Sequence, residues 1–121
     1  MTALAAARNT PQKIGDVRAG PLAASVVIFA GAMLMRNASG YLTKGAAATG
    51  LVGVGRAEES ATGGAGAGDV TIGYQPGRFR FVNSTSTDEI TVAEIGKVCF
   101  CVDDQTVAKT SGSGVRSPAG F

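Results

Sequence analysis

The 121-residue chain has no histidine. That removes the usual general base near neutral pH, the commonest nitrogen ligand for metals, and every nucleophile that relies on an imidazole partner. Cysteine is nearly as scarce, present only as Cys99 and Cys101. On a strand, that spacing puts both side chains on one face about 6.5–7 Å apart along the chain, so a mutual disulfide would be strained. Two thiols without further ligands also fall short of a four-ligand zinc site. We therefore expect no cofactor and no metal, with both thiols acting as small buried apolar groups, and the chain does not read as an enzyme.

Charge is sparse too, with 17% charged residues and a formal net charge of +2. The Lys and Arg residues are scattered singly instead of in runs that track phosphates, so nucleic acid is not an expected partner. The apolar run from Leu22 to Met35 is shorter than the roughly 18–20 residues of a spanning helix. The charged region ahead of it is long for a secretory leader and contains Asp16 and Pro21. No membrane association is expected.

What remains is a chain with 45% apolar residues and 18 glycines, sized for one domain. A chain of this length buries about 65–70% of its unfolded surface, enough for a modest core. The glycines raise the backbone entropy lost on folding, so a partner that adds stability suits the composition.

Residues 1–20 carry no sustained period and contain Asn9, Thr10, Pro11, Gly15 and Gly20, which predicts an extended N-terminal arm before a single β domain at 21–121. In that arm Arg8, Lys13 and Arg18 face only Asp16, so it reads either as a contact for an acidic protein surface or as a solvated tail.

Ser25 to Met35 is read as one buried strand with a bulge at Gly31, turning at Asn37-Ala38-Ser39-Gly40 into Tyr41-Leu42-Thr43. Leu51 to Ala57 reads as another strand. Its alternating glycines leave little side chain on one face, which suits close approach of a neighbouring strand or protein and makes Val52, Val54 and Arg56 candidate contacts. Glu59 to Gly68 is low in complexity and is expected to be a mobile surface loop.

Gln75-Pro76-Gly77-Arg78 fits a type II turn, predicting a hairpin of Asp69–Tyr74 with Arg78–Val82. There Phe79 and Phe81 share one face, while Arg78 and Arg80 share the other, as candidate partner contacts or an ordinary solvated face. Thr91-Val92-Ala93-Glu94 matches a capping box that Gly96 closes after a single turn. Lys97 to Val102 and Gln105 to Lys109 read as strands joined at Asp103-Asp104. Short strands, frequent Gly and Pro turns and at most a short helical turn predict an all-β fold, a β-sandwich or jelly-roll-like small barrel.

Two features invite a chemical reading. Gly64-Ala65-Gly66-Ala67-Gly68 neither follows a strand nor opens a helix, so it is read as a loop and not a nucleotide cradle. Glu58-Glu59, Asp88-Glu89 and Asp103-Asp104 are adjacent carboxylates, which point opposite ways in extended chain and suit turns or solvation.

Several of these stretches resemble a known group. They are Leu51 to Glu59, Asp88-Glu89-Ile90-Thr91, Ile95 to Phe100, Val102 to Thr110, and Arg116-Ser117-Pro118-Ala119-Gly120. They are similar to the small proteins encoded beside the major capsid protein in Mu-like and podovirus-like phages and prophages. The resemblance implies a head decoration, or cement, protein, made in the host cytoplasm and carried on the capsid exterior. It implies the major capsid protein and further copies of the chain, as dimers or trimers, as partners. Proteins of this group usually continue past Ser-Pro-Ala-Gly into a final strand, whereas this sequence stops at Phe121; a missing last strand would leave an open sheet edge. The alternative from another class is a virion-displayed or secreted host- or carbohydrate-binding β module, for which Tyr41 and Tyr74 would supply the aromatic platform.

Overall fold

A computed structural model describes residues 2–3, 5–9 and 15–121. Among them the regular structure is almost entirely β, as the sequence predicts. The largest sheet has five strands in the order β1 (Arg18–Pro21), β7 (Thr71–Gln75), β5 (Val52–Ala57), β3 (Met33–Arg36), β4 (Leu42–Lys44), each pair antiparallel. A four-stranded sheet runs β11 (Pro118–Gly120), β9 (Cys99–Cys101), β10 (Thr106–Ala108), β8 (Val82–Asn83), with its last pair parallel. A two-residue ladder joins β2 (Val27–Ile28) to β6 (Ala61–Thr62).

Strand β3 organises the core. Met33, Leu34 and Met35 are all buried, and because successive side chains on a strand point to opposite faces, they feed two clusters. Leu34 joins Leu22, Ile28, Leu42, Ile72 and Tyr74 on one side. Met33 and Met35 join Cys101 on the other, flanked by Leu51, Phe81, Val107 and Ala119. Burial on both faces explains why this strand lacks apolar–polar alternation. Each fully buried aliphatic side chain contributes about 1.5–3 kcal/mol to that core.

The glycines of β5 behave differently from the one-faced strand expected. The ladder slips between Leu34 and Met35: Gly55 stands opposite Leu34 and Gly53 opposite Met35, so Val54 is bulged out. The bulge puts the two glycines on opposite faces of the sheet. At Gly53 a Cβ would lie 2.2 Å from the Ala119 carbonyl oxygen, so β11 packs directly on the β5 backbone. The close approach foreseen for this strand is made within the chain.

Four local expectations are corrected by tertiary context. The 69–82 hairpin does not form, because β7 already pairs with β1 on one edge and β5 on the other. Residues 78–81 instead cross to the second core, and Val82–Asn83 joins the other sheet beside β10. The run from Ser25 to Met35 is two strands, with a turn in which Gly31 adopts φ +87° and its amide donates to the Ala57 carbonyl, 2.9 Å. The arm ends earlier than expected, since Arg18 to Gly20 belong to β1. The segment expected as a mobile loop contains β6 and is fixed by Gly63 N–H to Val26 O (2.7 Å), Ser25 N–H to Gly64 O (2.9 Å) and Gly66 N–H to an Asp69 carboxylate oxygen (2.9 Å).

The C-terminal stretch also supplies a strand, β11, which covers β9. Ser117 anchors its start. The buried Ser117 hydroxyl donates to Ala48 O at 2.6 Å and accepts from Leu51 N–H at 3.0 Å, so this buried polar group is satisfied, whereas the buried Arg36 Nε has no partner among the described residues.

Candidate partner-docking groove

The second core lies beneath a groove of about 750 Å3, and the segments around it converge from distant parts of the sequence. Its floor is Met33 of β3, the Gly53–Gly55 stretch of β5 and Val107 of β10. Its walls are the crossing segment 76–81, the segment 94–98 and Ala119 to Phe121.

The 76–81 wall is stiffened by aromatic packing. Phe79 and Phe81 meet edge to face with centroids 6.3 Å apart, and the Arg56 guanidinium lies 4.5 Å over the Phe79 ring. Arg56 also pairs with Glu58 at 2.8 Å. Arg56 therefore braces Phe79 from β5, with its side chain 37% exposed. With Phe79 and Phe81 turned inward, Arg78 and Arg80 are both exposed, as their alternation predicts even without a hairpin.

The 94–98 wall is built by the capping box, observed as expected around a 3-10 turn at Val92–Glu94. The Glu94 carboxylate accepts both the amide and the hydroxyl of Thr91, each at 2.6 Å, and these bonds hold its pKa below the ordinary value. Gly96, at φ +84°, then reverses the chain. A single turn has too little surface to bury its apolar neighbours, so Ile95 stays 79% exposed and Val98 40% exposed, facing the groove. Phe121 is 92% exposed at its side. Clustered exposed apolar groups framed by polar residues mark interaction surfaces.

The rim is positively charged. Arg78, Arg80, Lys97 and Lys109 line the groove, where Glu94 is the acidic side chain. Among the described residues the ion pairs are Arg56–Glu58 and Arg116–Asp88, so none of these four cations is held by a carboxylate.

Of the residues singled out by sequence, the structure brings Val54, Arg78 and Arg80 together here. Val52 is 63% exposed on β5 but does not line the groove. Arg8 and Arg18 are exposed; Arg18 sits in β1, two strands from β5. Lys13 lies outside the described residues. Sequence reading missed Ile95, Lys97, Val98, Lys109 and Phe121. The available signal was the pair Ile95 and Val98 bracketing Gly96, two apolar residues at a turn too short to bury them.

Reactive chemistry finds little support in these side chains. The Cys101 thiol is buried and donates to Asp103 O at 3.2 Å; burial and the nearby Asp103 push its pKa to about 11. Cys99 lines the groove half-buried, and burial raises its pKa as well. The carboxylate pairs serve the fold: Glu58 holds Arg56, Asp88 holds Thr110 and Arg116, and Asp103 accepts the Gln105 amide at 2.9 Å. Among the described residues no three His, Cys, Asp or Glu side chains are grouped to hold a metal, and no helix is long and apolar enough to cross a membrane. No family model matches the chain, and neither a curated protein nor a solved structure matches it.

Proposed function

We propose that the protein is a capsid decoration protein that binds the outside of an assembled phage shell and stabilises it, without catalysing a reaction. The observation that carries the reading is the groove, with exposed aliphatic and aromatic side chains framed by four cations. Such a surface suits a protein partner better than a reacting small molecule. The sequence resemblance supplies the identity of that partner, the major capsid protein. In this reading the two larger sheets, which share the second core, are an irregular sandwich, and further copies of the chain bind as dimers or trimers.

The mechanism is additive. A ligand that binds the assembled shell and not its separated subunits stabilises the shell by mass action, and repetition over the lattice supplies avidity. The rival carbohydrate-binding reading loses the platform expected of it: Tyr74 is buried, with its hydroxyl accepting from Arg36 at 3.2 Å, and Tyr41 is half-buried. Phe29 and Phe121 are the rings left exposed.

The test is to mix purified protein with undecorated capsids, image the particles, and screen the same protein against immobilised glycans. Stoichiometric density at capsid symmetry axes is expected. Bare capsids together with glycan binding would replace decoration by the rival reading.

A further inference from the structure

We propose that the groove receives an extended acidic segment of the partner, with aliphatic side chains in its floor and carboxylates on its rim. This rests on the decoration reading for the partner's identity but not for its chemistry, which follows from the groove itself.

Charge selects the occupant. Arg78, Arg80, Lys97 and Lys109 line the groove with one acidic side chain, Glu94, which accepts two bonds from Thr91. Glu94 stays ionised and offsets part of the charge of Lys97 and Lys109, so the groove keeps a net positive field, strongest on the Arg78/Arg80 side. An acidic segment neutralises it. The N-terminal arm of a second copy does not, because Arg8 and Lys13 outnumber Asp16 and carry the same sign as the rim. Nucleic acid would satisfy the cations through its phosphates and find one exposed ring, Phe121, to stack on, but would leave the aliphatic Ile95 and Val98 wet. Alternating carboxylate and aliphatic residues match both features at once, because an extended segment points successive side chains to opposite sides.

The walls are suited to rigid docking. Phe79 and Phe81 fix the Arg78/Arg80 side, and the capping box with Gly96 fixes the Lys97 side. The backbone of both segments is thus pre-positioned, and the ordering cost of binding falls on the exposed Arg and Lys side chains.

The experiment uses the whole chain, isotopically labelled, titrated to millimolar concentration with a synthetic octapeptide alternating Glu and Leu. Control probes are the Gln/Leu and Lys/Leu octapeptides and a short single-stranded oligonucleotide. Amide shifts confined to residues 76–81 and 94–98 are expected with the Glu peptide. Affinity should be at least tenfold weaker for the Gln peptide and should fall steeply with added salt. The doubly substituted Arg78→Glu/Arg80→Glu chain should bind at least tenfold more weakly with an unchanged unfolding midpoint, because both side chains are exposed. Ile95→Ser should weaken binding independently.

Absence of shifts in the groove at millimolar Glu peptide overturns the proposal. So does equal binding of the Lys peptide, tighter binding of the oligonucleotide, or self-association in sedimentation that Arg78→Glu/Arg80→Glu abolishes while the peptide does not compete. Capsid imaging separates this failure from that of the decoration reading. If wild-type and doubly substituted chains decorate equally, the groove proposal fails and decoration stands; if peptides bind but capsids stay bare, the reverse holds.

Discussion

Replacing Gly53 by alanine adds one methyl group at the point where the two larger sheets touch. Its carbon would lie 2.2 Å from the Ala119 carbonyl oxygen and 2.9 Å from the carbonyl carbon, both backbone atoms that cannot rotate away. Carbon–oxygen contacts settle near about 3.3 Å, so β11 would have to withdraw by about 1 Å. That displacement strains the β9–β11 ladder and lifts Ala119 off Met33, Met35 and Cys101. Overpacking of this kind costs about 1–3 kcal/mol. A second glycine provides the control. In β7, a Cβ on Gly73 would meet Val17 at 3.8 Å, an ordinary contact, and its backbone does not require positive φ. Gly73→Ala should therefore be neutral or stabilise by up to about 0.5–1 kcal/mol through the unfolded chain. Urea unfolding followed by circular dichroism reads both. With a slope of about 1–2 kcal/mol/M, Gly53→Ala should lower the midpoint by roughly 0.5–3 M while Gly73→Ala leaves it in place or raises it. Equal midpoints for the two variants would refute the close approach of β11 to β5.

Leu34→Ala, at a fully buried position, should destabilise by about 2–5 kcal/mol, whereas Ile95→Ala in the exposed groove should stay within about 0.5 kcal/mol, both by the same urea assay. Folding holds the Cys101 thiol protonated to about pH 11, above its ordinary value, because burial disfavours the thiolate. The unfolded chain loses that proton first, so stability should be complete below the ordinary thiol pKa and fall as pH rises towards 11; Cys101→Ala should lessen that fall in alkaline melts. The Thr110 hydroxyl bond holds the Asp88 carboxyl below its ordinary value against the opposing effect of desolvation, with Arg116 and Lys109 adding to the lowering. The unfolded chain takes up a proton first there, so the contribution is present above the ordinary carboxylate pKa and lost as pH falls through the depressed one; Asp88→Asn should flatten the acid limb of a stability–pH curve.

Elements whose partners are near in sequence were legible. The β3–β4 hairpin, the β9–β10 hairpin and the Thr91–Glu94 capping box each follow from a turn or cap with its own residues. Strand β5 was legible as a strand, but its bulge and the opposite faces of its glycines were not, since they depend on Leu34, Met35 and Ala119. The Gln75–Arg78 turn signal misled because it says nothing about whether the β7 edges are free, and β1 and β5 occupy both. Half of the rim was legible in the same way. Arg78 and Arg80 followed from alternation against Phe79 and Phe81, while Lys97 and Lys109 reach the groove only through folding.

By itself the sequence determined an all-β chain without imidazole, with sparse charge and with two thiols suited to burial, because composition and local turn chemistry act over a few residues. Tertiary structure decided which strands share a sheet, that β3 is buried on both faces, and that four cations and a set of aliphatic side chains surround one groove. Those outcomes depend on which edges and faces remain unfilled once the other strands are in place, a quantity that no local stretch of sequence contains.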